Sequence, residues 1–174
     1  MFDKRYTKCS KCGSFFKMVL DEANYKQLRG GVDPKTKARS KPLKAVFKGY
    51  KDGCLLFKCR SGTVPGLWYD EKVRLLDLNK IIKKGKLTHF QMVKQAVMGD
   101  IKVTCTCPAH RYWGSAYRLT RLNAEETLTH LTEPEINLGI PSLLCKHLEV
   151  VLFTLPFNLS KITKALEKAG VFDT

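Results

Sequence analysis

Two closely spaced pairs of metal-ligand residues constrain this chain more than any other feature of its sequence. The pairs are Cys105-Thr106-Cys107 and Cys145-Lys146-His147. Three cysteines and one histidine form the donor set of a closed structural zinc site. The sequence therefore predicts one zinc ion held by Cys105, Cys107, Cys145 and His147, and a fold that brings the two pairs together.

The local pattern around each pair predicts how it is presented. Residues 101–107 alternate apolar and polar side chains, which indicates a strand with Cys105 and Cys107 on one face, ended by Pro108. The second pair opens an apolar helix, with Ser142 as its expected N-cap. Because residues i and i+2 do not face each other on a helix, we expect the second pair to share an ion only at the first turn, where His147 reaches back.

The Cys-x-Cys and Cys-x-His pairs resemble the SWIM-type zinc finger. The wider sequence is closer still to SWIM-like proteins of tailed bacteriophages, over roughly residues 54–155. The matching segments are Phe57-Lys58-Cys59-Arg60-Ser61-Gly62, Cys105-Thr106-Cys107-Pro108-Ala109, Tyr112-Trp113-Gly114, Tyr117-Arg118-Leu119, Pro134-Glu135-Ile136 and Leu144-Cys145-Lys146-His147-Leu148.

The resemblance implies a zinc-binding protein of bacteriophage origin that contacts nucleic acid or other proteins. One departure is that 37 residues separate Cys107 from Cys145, a longer gap than most SWIM fingers have. We therefore interpret residues 108–144 as containing an insertion. The implied locations are the host cytoplasm or the virion.

The length and composition are those of a soluble globular protein. A chain of 174 residues corresponds to one domain or to a domain with an appendage. No apolar run approaches the ~18 residues that span a bilayer, and there is no signal-peptide pattern. We expect a protein made in a cytosol, with neither a membrane nor a small-molecule substrate as its partner.

The other cysteines suggest a second zinc site. The chain has seven cysteines, and an odd number argues against a complete disulfide framework. Cys9-Ser10-Lys11-Cys12-Gly13 has the form of a zinc knuckle, and the candidate partners are Cys54 and Cys59. Those two are five residues apart in a predicted strand and would face opposite sides. The alternative is that Cys54 or Cys59 is a small buried hydrophobic residue.

The charge distribution indicates a polyanion as partner. The formal net charge is +15, and residues 1–51 contain 14 Lys and Arg against four Asp and Glu. Residues 31–44 show no periodicity and are predicted to form a basic loop or arm. The residues expected to contact nucleic-acid phosphates are Lys35, Lys37, Arg39, Lys41 and Lys44. The alternative is an arm that docks on a neighbouring protein.

The remaining pattern predicts an α+β fold, with a small antiparallel sheet flanked by helices and pinned by zinc. Asp52-Gly53 between alternating runs indicates a hairpin. Residues 15–29 are predicted to form a helix, as are residues 88–98, where Thr88 and Gln91 can make a capping box. The expected domains are a basic N-terminal arm with a short helix and knuckle (1–44), a SWIM-like domain (45–155) and a C-terminal amphipathic helix (156–174).

No catalytic arrangement is visible in the sequence. The four donors would close the shell of the ion, and their spacing matches neither the zinc deaminases nor the HExxH enzymes. The sequence thus predicts a non-enzymatic module that binds nucleic acid without sequence specificity. The alternative is a structural or assembly component of a phage virion, in the capsid, neck or tail.

Overall fold

The computed structural model describes residues 6–8, 15–17, 23–112, 114–126 and 142–173. Near the N-terminus, strand β1 (Tyr6–Lys8) pairs antiparallel with β2 (Phe15–Lys17). The predicted helix over residues 15–29 is therefore wrong in its first part. Helix α1 (Tyr25–Gly30) begins only after Asn24, which forms a capping box with Gln27.

Four strands form the main sheet, in the order β3-β4-β5-β6 with every neighbouring pair antiparallel. The strands are β3 (Ala45–Lys51), β4 (Cys54–Arg60), β5 (Trp68–Leu75) and β6 (Ile101–Cys105). Asp52 and Gly53 both have positive φ, as a two-residue hairpin turn between β3 and β4 requires. The predicted hairpin and antiparallel sheet are confirmed.

The helices after α1 complete an α+β fold, as predicted. The capping box between Thr88 and Gln91 at the start of α4 is also confirmed. A 3-10 turn, Leu155–Asn158, joins the last two helices. The helices are α2 (Pro34–Ser40), α3 (Leu78–Lys84), α4 (His89–Met98), α5 (Pro108–Tyr112), α6 (Ser115–Arg121), α7 (Lys146–Thr154) and α8 (Leu159–Lys168).

Helix α2 replaces the irregular basic segment predicted for residues 31–44. The carboxylate of Asp33 accepts hydrogen bonds from the backbone N–H groups of Lys35 and Thr36, and Pro34 occupies the first helical position. The buried residues of α2 are Thr36 and Ser40. Because this buried side is small and polar, the helix has no apolar periodicity, and the sequence pattern misses it.

Helix α7 is central to the core. It packs against all four strands of the main sheet on one side and against α2 elsewhere. Leu148, Val151 and Leu152 of α7 are completely buried, as are Phe57 and Val103 of the sheet. Burial of such side chains contributes about 1.5–3 kcal/mol each. Within the described part of the chain, no helix is long and apolar enough to cross a membrane.

Candidate metal centre

The four predicted ligands come together in the interior. One donor atom from each of Cys105, Cys107, Cys145 and His147 lies within 4.8 Å of the others, and all four residues are buried. Neighbouring sulfurs in a tetrahedral zinc site with bonds of about 2.3 Å stand about 3.8 Å apart. The cluster is thus close to the size of a single ion's coordination shell and could hold one metal ion.

The first pair lies at the junction of β6 and α5. The predicted strand continues to Cys107, but the observed strand ends at Cys105, and Pro108 starts a helix as well as ending the strand. The sulfur of Cys107 accepts a hydrogen bond from the N–H of His110 at 3.3 Å, so this cysteine caps α5. The turn at Thr106 brings Cys107 beside Cys105, whose sulfur accepts from the N–H of Cys107 at 3.4 Å.

The second pair lies at the start of α7. Cys145 is the N-cap residue, and its sulfur accepts from the N–H of Leu148 at 3.5 Å. The prediction of Ser142 as the N-cap is wrong, since its hydroxyl donates to the carbonyl of Leu144 instead. His147 lies in the first turn of α7, as the spacing of the pair requires. One of its ring nitrogens lies within 4.8 Å of the three cysteine sulfurs.

Hydrogen bonds and helix ends favour thiolates at the cluster, whereas burial opposes them. Each sulfur accepts one backbone N–H, and both Cys107 and Cys145 lie at helix N-termini, where the helix dipole favours negative charge. Hydrogen bonds from the thiols of Cys105 and Cys145 lower the pKa of Cys107. Burial raises the pKa values of Cys105 and Cys145. A cation would offset the cost of burying thiolates at Cys105 and Cys145.

The imidazole of His147 has no other polar role in the described structure. Neither ring nitrogen has a nitrogen or oxygen hydrogen-bond partner there, although the residue is only 2% exposed. Its ring packs against Tyr69, with ring centroids 4.7 Å apart at an interplanar angle of 50°. Buried polar nitrogens are rarely left unsatisfied. A metal ion between the three sulfurs and the imidazole would satisfy one of these nitrogens.

Two buried side chains of the sheet adjoin the cluster. Glu71 pairs in register with Cys105, whose thiol lies 3.5 Å from its Oε1, and burial raises the pKa of Glu71 to about 8. Burial also raises the pKa of Cys59 to about 12, so this thiol stays neutral. Glu71 was not predicted as a neighbour of the cluster, because only the strand register between β5 and β6 could have revealed it.

Two other residues close to the motifs lie outside the cluster. His110, near the first pair in sequence, places its Nε2 3.0 Å from Oε2 of Glu125 in a buried contact. Glu149, two residues after His147, forms a salt bridge of 3.0 Å with Arg29 of α1. Glu149 thus contributes to joining α1 to α7, and the described ligand cluster does not include it.

The predicted second site falls partly outside the described residues. Cys9 and Cys12 are not described. Cys59 is completely buried on the helix-covered side of β4, whereas Cys54 contacts Glu126 through its sulfur at 3.3 Å. No disulfide joins the described cysteines. Cys54 and Cys59 therefore lie on opposite sides of the strand, as their spacing predicts.

The five predicted phosphate contacts lie on α2 and in the segment that follows it. Lys35, Lys37 and Arg39 lie on α2, and Lys41 and Lys44 follow before β3. All five side chains are exposed. In the described part of the chain none of them forms an ion pair. We refer to these five residues as the α2 basic surface.

A cleft connects this surface to the metal cluster. It has a volume of about 400 Å³, and Arg39 and Lys146 lie in its wall. Its lining also includes Thr63 and Tyr69 together with three of the ligand residues, Cys107, Cys145 and His147. Arg39 of the α2 basic surface thus lines the same cleft as the metal cluster, although 65 residues separate Arg39 from Cys105.

Comparison of the chain with protein-family models, curated proteins and solved structures gives no match. The chemistry of the cluster and of the exposed surfaces is therefore the basis for assigning a function.

Proposed function

We propose that this chain is a zinc-stabilised module that binds nucleic acid through phosphate contacts. Zinc is the proposed ion because three thiolates and one imidazole, closed and buried, form its characteristic structural site. Its role would be to fasten the end of β6 to the start of α7. Four protein ligands fill a tetrahedral shell, so the proposed module has no metal-activated water and is not an enzyme.

The observation that carries the binding proposal is the uncompensated charge of the α2 basic surface. Residues 23–51 contain nine Lys and Arg and a single acidic residue, Asp33. The carboxylate of Asp33 is directed to the N–H groups of its own helix. A rigid helix that presents cations without acidic partners suits the closely spaced phosphates of a nucleic acid.

The resemblance to SWIM-like proteins of tailed bacteriophages supports a viral origin for this module. On that proposal it would act in the host cytoplasm or within the virion. Charge acts on DNA and RNA alike, so both should bind, with an affinity that falls steeply as salt rises.

Native mass spectrometry together with elemental analysis tests the metal proposal. We expect one zinc ion per chain if the Cys-His cluster alone binds metal. Two ions would indicate that Cys9 and Cys12 also bind. A protein purified without chelators that carries no zinc and takes up none on titration would refute the proposed site.

Salt-dependent binding to labelled DNA and RNA tests the nucleic-acid proposal. The variant Lys35→Gln/Lys37→Gln/Lys41→Gln should reduce the slope of log K against log salt by about 0.9 for each phosphate of B-DNA that the protein no longer neutralises. The matched control, Lys83→Gln/Lys84→Gln/Lys86→Gln, removes the same charge from exposed positions in and just after α3. An equal decrease in both variants would mean that net charge alone matters, and that α2 is not the contact surface.

One observation favours assembly into a virion as a second candidate function. Phe153 and Phe157 lie beside each other, with ring centroids 5.6 Å apart, and are 50% and 76% exposed. Exposed aromatic pairs are typical of protein-protein interfaces. If phage particles contain this chain in a fixed stoichiometry, and Phe157→Ser prevents its incorporation, the assembly function is supported over free nucleic-acid binding.

A further inference from the structure

The side of the main sheet facing away from α7 carries exposed, mostly cationic side chains. The strand registers place Lys58 beside Asp70, Arg60 beside Trp68, and Arg74 beside Lys102 across neighbouring strands. Lys72 lies between Leu56 and Thr104 in the same way. We call this side, defined by Lys58, Arg60, Trp68, Lys72, Arg74 and Lys102, the outer sheet face.

The charge of the outer sheet face is positive after its ion pairs are considered. Lys58 approaches Asp70 at 3.4 Å, but both side chains are about half exposed, so the pair is weak. Glu126 neutralises Arg74 through hydrogen bonds to its guanidinium. In the described structure, Arg60, Lys72 and Lys102 form no ion pair. A polyanion is therefore the complementary partner.

Trp68 adds an aromatic surface to this charge. It lies at the start of β5, 41% exposed, with the guanidinium of Arg60 5.4 Å from the centre of its ring. An aromatic ring flanked by cations suits a nucleobase, which can stack on the ring while its phosphates contact the cations. Bases in a duplex are already stacked on each other, so only an unpaired base can use this surface.

We infer that the outer sheet face binds single-stranded nucleic acid, with one base stacked on Trp68 and the adjacent phosphates held by Arg60, Lys58 and Lys72. This surface is separate from the α2 basic surface. It distinguishes single-stranded from duplex nucleic acid, which charge alone does not. The alternative role of Trp68 is a cross-strand pair with Arg60 that stabilises the sheet. That role affects folding and leaves nucleic-acid binding unchanged.

The test measures binding of the full-length, metal-loaded protein to fluorescein-labelled oligo(dT), oligo(rU) and a DNA duplex of equal length. Trp68→Leu should weaken binding to oligo(dT) and oligo(rU) by about 5- to 150-fold, the range for removal of one stacked base, and leave duplex binding unchanged. Trp68→Phe keeps an aromatic ring and should restore most of the affinity. The matched control is Phe90→Leu, which removes a similarly exposed aromatic ring from α4, outside the main sheet, and should leave binding unchanged.

Several results would overturn the inference. One is that Trp68→Leu binds oligo(dT) with wild-type affinity. Another is that it weakens binding to single strands and to the duplex equally. The third is that polyglutamate competes with labelled oligo(dT) as effectively as unlabelled oligo(dT) does at equal charge. Metal content and melting temperature of each variant show whether it is folded. If Trp68→Leu unfolds, the Lys58→Gln/Lys72→Gln variant replaces it, with a preferential decrease in single-strand binding expected.

The same measurements separate this inference from the proposed α2 contact. If the α2 triple variant binds duplex like the wild-type protein while Trp68→Leu no longer binds single strands, the α2 proposal is wrong and the sheet inference stands. The reverse pattern rejects the sheet inference alone. Absence of binding to every nucleic acid at low salt rejects both.

Discussion

At the scale of single residues, backbone N–H groups partly offset the cost of burying three thiolates in the cluster. Each accepts a backbone N–H, and two of them are at helix N-termini. Such bonds favour the thiolate, which is the form that binds metal. The protein thereby reduces the energy needed to gather three negative charges in its interior.

Cys107→Ser should abolish metal binding, because a serine hydroxyl replaces the thiolate in the middle of the hydrogen-bonded cluster. We expect metal content to fall from one ion per chain to near zero, with loss of cooperative thermal unfolding. Elemental analysis and circular dichroism measure the two effects. Cys54→Ser is the matched control, since that cysteine contacts Glu126 and lies outside the cluster. Retained metal in Cys107→Ser would refute the assigned ligand set.

Glu126→Gln should reveal a pH-dependent contribution to stability. Burial opposes ionisation of Glu126, but hydrogen bonds from Arg74 and Cys54 outweigh it and lower the pKa of this carboxyl. A lowered carboxyl pKa means that the stabilisation is complete above the unfolded value, about 4.3, and is lost as pH falls through the folded value.

We expect Glu126→Gln to reduce the free energy of unfolding by about 1–2 kcal/mol near neutral pH. Urea titrations at several pH values should show a constant difference from the wild-type protein down to about pH 4.5, and a shrinking one below that. A difference that grows on acidification would contradict the assignment of Arg74 as the partner.

At the scale of elements, local signals predicted some structures well. The Asp52-Gly53 turn and the Thr88-Gln91 capping box each act over a few residues, so sequence is sufficient to identify them. Helix α2 was missed because its buried side is small and polar. The salt bridge from Arg29 to Glu149 joins residues 120 positions apart, and no local pattern encodes such a pair.

The sequence predicted which four residues come together, but not the local structure around them. Donor types and spacing singled out these four residues because few kinds of side chain bind zinc. The end of β6 and the start of α7 differ from the sequence prediction by up to a few residues, because cysteine sulfurs cap the helices there and cysteine is not a usual N-cap residue. Glu71 was missed because its proximity depends on strand register.

Asp33→Ala should weaken helix α2 by removing the carboxylate that caps it. Without the hydrogen bonds to the N–H groups of Lys35 and Thr36, we expect stability to fall by about 1 kcal/mol. Amide hydrogen exchange within α2 should become faster. Asp70→Ala is the control, because that exposed carboxylate makes only a weak surface pair with Lys58. Unchanged exchange in Asp33→Ala would argue against the cap.

At the scale of the whole molecule, the proposed zinc joins parts of the chain that are distant in sequence. Structural zinc contributes about 10–16 kcal/mol of apparent binding energy in finger peptides, comparable with the total stability of a small domain. Removal of the ion by a strong chelator should therefore abolish cooperative unfolding, and added zinc should restore it while magnesium should not. Calorimetry checks this, and an unchanged melting curve after verified metal removal would exclude a structural role.

The simple strand order of the main sheet has a consequence for how the protein reaches its native state. Strands β3, β4 and β5 follow each other closely along the chain and need only short-range encounters, whereas β6 pairs with β5 across 25 intervening residues. Closing the cluster requires Cys145 to meet Cys107 across the intervening 37 residues. Topologies built from near neighbours form faster than distant contacts. We expect strands β3 to β5 to assemble first and ion capture to complete folding, so that the final step accelerates with zinc concentration.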